Sequence, residues 1–160
     1  MNSKLRFALI ATALLIFGAS SARIAGAAPQ GPGCSLLTPA QIQKVLGQPF
    51  GAPTETKAYP AYKGQSWGSH CEYRSTRGNM QVDFIVYVDR SASEAKQTFE
   101  KLSAWSSLSS HISKASVGDQ AYIVGHAIHV LKGKVRYAVS ISTENEKQVI
   151  DLASAVAAQI

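Results

Sequence analysis

The chain has 160 residues, 46% of them hydrophobic and 16% charged, with a formal net charge of +6 at pH 7. That apolar share can build a core, which excludes a disordered polymer, and the length suits one domain rather than two. Lys4, Arg6 and Arg23 supply half of the excess charge, and most of the other cations are scattered singly, unlike the concentrated basic surface of a nucleic-acid binder.

The N-terminus reads as an export address. Lys4 and Arg6 precede an apolar run from Phe7 to Ala19 that only Thr12 interrupts, and Ala25-Gly26-Ala27 supplies the small-x-small pattern of a signal-peptidase site. Residues 1–27 are therefore expected to be a signal peptide and 28–33 a Pro/Gly linker. Residues 34–160 are expected to form one disulfide-closed domain, periplasmic or secreted. The run covers roughly 20 Å as a helix, short of the roughly 30 Å hydrocarbon core, and a retained membrane anchor is the alternative. No later apolar run approaches spanning length, so no transmembrane segment is expected after cleavage.

Cys34 and Cys71 are the two cysteines of the chain. In an oxidising compartment such a pair reads as a disulfide, worth roughly 4 kcal/mol by loop closure. A lipid anchor on Cys34 is the rival reading. Gly31-Pro32-Gly33 before it lacks the aliphatic residue that lipidation wants, and Cys71 would be left unpaired.

The first helix is predicted to start at Thr38-Pro39-Ala40-Gln41, where Thr38 caps, Pro39 takes the first helical position and Gln41 completes a capping box. Ile42, Val45 and Leu46 share its apolar face, and Gly47 with Pro49 ends it. Phe50 to Gly68 reads as loop with one short strand. Two strands follow, Ser69–Ser75 and Met80–Asp89, joined through Thr76-Arg77-Gly78-Asn79. In the second, Val82, Phe84, Val86 and Val88 alternate with Gln81, Asp83, Ile85, Tyr87 and Asp89.

Ser91 and Glu94 open a second helix with Ala95, Phe99, Leu102 and Trp105 as its expected buried stripe. Strands are then predicted over 120–124, 126–132 and 134–142, with Gly125 and Gly133 in the turns. Thr143 to Glu146 reads as another capping box. It opens a last helix whose apolar face is Val149, Ile150, Leu152, Ala153, Val156 and Ile160. A shift of 51 residues lays Phe84, Val86 and Val88 over Val135, Tyr137 and Val139, and Ser91 over Ser142. The expected fold is α+β, an antiparallel sheet with helices packed on one face and two related strand-strand-helix halves.

Cys34-Ser35-Leu36-Leu37-Thr38, Cys71-Glu72-Tyr73 and Gly118-Asp119-Gln120-Ala121-Tyr122 occur in this order along the chain. Together they resemble a group of exported bacterial domains of unknown function. The resemblance implies the disulfide and the fold class and no chemistry. Many members carry an additional upstream cysteine for lipidation, which this chain lacks.

Gly64-Gln65-Ser66-Trp67-Gly68 spells a nucleophile-elbow pattern. The elbow needs a strand-to-helix turn, and here a strand is expected downstream. His126 and His129 lie three apart on a predicted strand, so they point to opposite faces and do not chelate one ion. No cofactor or metal site is expected. Lys132, Lys134 and Arg136 crowd one hairpin tip and read as a solvated strand face, with an anionic envelope polymer or headgroup as the alternative contact. Asp119 reads as a turn-bonding residue.

Tyr59, Tyr62, Lys63 and Trp67 gather in the loop that the disulfide closes, together with His70. Aromatic faces beside a cation suit a glycan or a protein hot spot, and the competing reading is a cover for one end of the sheet. The expected function is a non-catalytic binding or protein-interaction module for an envelope protein or glycan, acting through this loop or an open sheet face. The alternative is a small periplasmic enzyme, which would bring Asp119 and a histidine together in a pocket.

Overall fold

A computed structural model describes residues 33–59, 68–109, 112–143 and 145–160. The expected signal peptide, the linker up to residue 32, Tyr62, Lys63, Ser66, Trp67 and His111 lie outside the described residues. A 3-10 turn at Gly33–Leu36 leads into α1 (Pro39–Leu46). Three strands follow, β1 (Thr54–Ala58), β2 (Gly68–Arg74) and β3 (Gln81–Val88), and then α2 (Ala92–Ser109). The second run of strands is β4 (Ile112–Ala115), β5 (Gln120–Val124), β6 (Ala127–Lys132) and β7 (Val135–Ile141), and α3 (Glu146–Ala157) closes the fold.

All seven strands form one antiparallel sheet in the order β1-β2-β3-β7-β6-β5-β4. Two meanders therefore meet at a central β3–β7 seam. Val86 and Tyr137, 51 residues apart in the chain, stand directly opposite each other there. The strand echo in the sequence thus turns about a local two-fold at the middle of the sheet.

Local signals set the element ends. The Thr38 side chain accepts from the Gln41 N–H at 3.3 Å while the Thr38 N–H donates to the Gln41 side chain at 2.7 Å, so the expected capping box is made in full. Ser91 accepts from the Glu94 N–H at 3.1 Å. At α3 the cap is Asn145, which accepts from the Gln148 N–H at 3.2 Å, rather than Thr143. Thr143-x-x-Glu146 and Asn145-x-x-Gln148 both fit the capping pattern, and the chain uses the second. Gly125 and Gly133 hold the hairpin turns with φ near +58° and +57°, a conformation that costs glycine little.

The main core lies on one face of the sheet. Val82, Phe84 and Val86 of β3 and Val135, Tyr137, Val139 and Ile141 of β7 pack with Ile42 of α1 and with Val149, Leu152, Ala153 and Val156 of α3. Two buried tyrosines tie this layer down. Tyr137 donates to the Ala153 carbonyl in α3 at 2.7 Å, and Tyr73 donates to the carbonyls of Leu37 and Cys34. Burial pushes both phenols well above their ordinary range, so they act as fixed donors. The expected disulfide joins Cys34 to Cys71 and fastens the 3-10 turn to β2.

The antiparallel α+β architecture is as expected, but the helices divide between the two faces. Ala95 and Phe99 of α2 pack with Tyr122 and Leu131, in a cluster separate from the main core. Tyr122 alternates along β5 with Ala121 and Ile123, and Leu131 follows Val130 on β6, so α2 crosses the opposite face. A two-fold normal to the sheet would put α2 and α3 on the same face. The strands follow that symmetry and the helices break it.

The stripe expected to be buried on α2 holds for half its length. Ala95 and Phe99 are buried and Leu102 is half-buried, while Trp105 is 76% exposed. Ile160 is likewise exposed, beyond the end of α3. Strand β4, which the sequence pattern did not indicate, adds a short edge beside β5.

Candidate functional site

Strand alternation sorts the residues of the second face into rows. One row runs Tyr122, His129, Ala138, Ile85, His70 and Thr56, each directly opposite the next. The Tyr122 end lies under α2, where Phe99 meets the Tyr122 ring at 5.1 Å and His129 stacks on its other side at 4.9 Å. Burial lowers the His129 pKa, which keeps the ring neutral beneath the helix. The other end, over β1, β2 and β3, has no helix above it among the described residues.

That open half is polar. His70 donates from Nε2 to Asp83 Oδ1 at 2.9 Å, with the two side chains 35% and 29% exposed. Gln81 donates to both oxygens of the same carboxylate at 3.2 and 3.0 Å. Glu72 pairs with Arg74 at 2.6 Å one strand over, and Ser140 stands opposite Asp83 on β7. Ile85, half-buried, is the aliphatic residue at the centre.

At the end of the sheet where the β1–β2 loop departs, Gly68 allows a close approach. A Cβ there would lie 2.4 Å from the Val86 carbonyl and 2.7 Å from the Tyr87 ring, so the bare backbone makes room for that ring. The Tyr87 hydroxyl donates to the Tyr59 carbonyl at 2.8 Å, holding the foot of the loop, and Arg136 lies over the ring at 4.9 Å. Tyr59 is 75% exposed.

Arg136 also forms a two-pronged pair with Asp89 at 2.6 and 3.0 Å, both side chains almost fully buried. This corrects the solvated basic patch expected at the hairpin tip. Arg136 is internal, and Lys132 donates to the Ala157 carbonyl at the end of α3, leaving Lys134 exposed between them.

Helix α2 packs on β5, β6 and β7. Glu94, Thr98, Lys101, Trp105 and Leu108 recur at alternating spacings of four and three and so share one side of the helix. The Glu94 carboxyl is held below the usual carboxylate range, first by its hydrogen bond from Arg90 and also by the charge of Arg136. Thr98 on this side is buried, whereas Trp105 and, at 84%, Leu108 stand exposed.

Of the residues expected to bind, the structure thus places Tyr59 at the rim of the open half. Among the described residues, Asp119 and the histidines of the enzyme alternative do not converge. Asp119 accepts from the Gly133 N–H at 2.7 Å, as a turn-bonding residue does. His126 lines a cleft of about 200 Å³ with Thr143, Asn145 and Glu146 at the start of α3, and His129 lies beneath α2. The elbow pattern at Ser66 runs into strand β2 from Gly68, where its chemistry requires a helix. The grouping of His70, Asp83 and Gln81 went unread because it depends on the β2–β3 register. Once the turn at 76–79 sets that register, His70 and Asp83 become diagonal neighbours on one face.

No helix among the described residues is long and apolar enough to cross a membrane. The chain matches no family model and no curated protein.

Proposed function

We propose that the chain is an exported, non-catalytic interaction module whose partner is an envelope protein, docked on the open half of the second sheet face. The observation that carries this reading is that, among the described residues, one sheet face is roofed by α2 over β5–β7 and carries no helix over β1–β3. The part without a helix presents His70, Asp83, Gln81 and Glu72, with the exposed Tyr59 held at its end by Tyr87. Paired, partly exposed charges beside an exposed aromatic match the polar rim and aromatic enrichment of a protein interface. The aromatic loop that begins at Tyr59, with Tyr62, Lys63 and Trp67, extends this surface in the proposal. Export rests on the leader sequence, on the resemblance to exported bacterial domains, and on a disulfide that suits an oxidising compartment.

The test is site-specific photo-cross-linking in the cell envelope, with the cross-linker at position 85 on the open half and, separately, at position 96 on the outer side of α2. The reading predicts one protein adduct at 85 that is absent at 96 and weakened by Trp67→Ala. Equal labelling at both positions, or none at 85, overturns it.

A further inference from the structure

Among the described residues β1 is one of the two edge strands of the sheet, and Thr54, Glu55, Thr56 and Lys57 along it are exposed. An edge strand presents unpaired backbone N–H and C=O groups, and proteins guard such edges with charges. The charges here are of opposite sign and placed symmetrically about Thr56. We infer that β1 pairs with β1 of a second copy of this chain, antiparallel and centred on Thr56, to form a two-fold dimer with one continuous sheet.

The register follows from the sequence Thr54-Glu55-Thr56-Lys57-Ala58. Centred on Thr56, all five residues overlap and each Glu55 stands directly opposite the Lys57 of the other copy, on the same face. Centring on Glu55 sets the two glutamates against each other, and centring on Lys57 does the same to the lysines. Centring between residues is excluded, because it would oppose side chains that lie on different faces of the sheet. The strand thus favours one register and discourages slippage. The other edge, β4, has no such self-complementarity, since Lys114 is its single charged residue.

The symmetry has a structural consequence. Directly opposed residues lie on the same face, so a two-fold axis normal to the sheet joins each second face to its counterpart. The open halves of two copies then form a single surface of six strands, roughly 25 Å across. The pairing itself does not rest on the binding reading, because it needs only the edge and its charges.

The experiment is sedimentation velocity on the oxidised chain spanning residues 28–160, which contains every described element. The parent is expected to dimerise. Glu55→Lys and Lys57→Glu should each weaken the dimer by roughly tenfold or more, because each variant sets like charges opposite one another. Mixing the two single variants should restore a heterodimer, and so should the Glu55→Lys/Lys57→Glu double variant as a homodimer. These substitutions are on exposed positions, and circular dichroism checks that each variant is folded. A parent that stays monomeric at its solubility limit overturns the inference, and so does a dimer indifferent to both reversals or single variants that fail to pair when mixed.

Discussion

Over β5, β6 and β7 the second face of the sheet lies under α2, and over β1, β2 and β3 the same face carries no helix among the described residues. The strands beneath are alike in pairing and alternation, so the difference comes from the residues they raise. Tyr122, His129 and Leu131 offer rings and an aliphatic chain to Ala95 and Phe99. His70, Asp83 and Gln81 bond to one another, and Glu72 pairs with Arg74, without a helix. Burying the second set under an apolar helix would strand charges away from water, at a cost of several kcal/mol. The boundary between the two surfaces falls at Asp89, Arg136 and Tyr87, where a buried ion pair and a cation over a ring mark the passage from cover to rim.

Substitutions on the two sides of that division should differ sharply. Asp89→Ala, which leaves Arg136 buried without its carboxylate, should lower unfolding free energy by about 3–5 kcal/mol in urea melts. Phe99→Ala, under the roof, should cost about 3–4 kcal/mol by the same measurement, since it opens a cavity against Tyr122. Burial lowers the pKa of His129, so below about pH 6.5 the unfolded chain takes up a proton that the folded ring refuses. Stability is therefore full above that pH and declines below it, by up to about 1.4 kcal/mol per unit, until the folded ring itself titrates. Melts at about pH 7.5 and about pH 5 should show this loss, and His129→Phe should reduce it. On the open half, His70→Ala and Gln81→Ala should each move stability by no more than about 0.5 kcal/mol, as should Trp105→Ala on the flank.

Legibility from sequence follows the range of the interaction. Thr38, Gln41 and the alternation through β3 act within a few residues and were read directly. The core face of α3 was read by its spacing. Spacing failed at Trp105 for a physical reason: helical periodicity records which residues share a side, not whether anything covers that side. Strand β4 escaped because Ile112-Ser113-Lys114-Ala115 is short and half polar, and only its pairing with β5 makes it a strand. The Arg136–Asp89 pair joins residues 47 apart, so Arg136 looked like a solvent-facing cation until the β3–β7 seam was known. The candidate surface was legible only as an open sheet face of unknown location. Its place became visible with the register that joins His70 to Asp83 and with the face that α2 chose.

The most direct measurement compares His70→Ala/Gln81→Ala with Phe99→Ala for both melting temperature and recovery of the partner that cross-links to position 85. The account predicts that the open-half variant melts with the parent and loses the partner. It predicts that the covered-half variant melts several degrees lower and, at a temperature where it is folded, keeps the partner. An open-half variant that retains the partner in full, or one that unfolds as readily as Phe99→Ala, would contradict the division of the face into a structural half and a binding half.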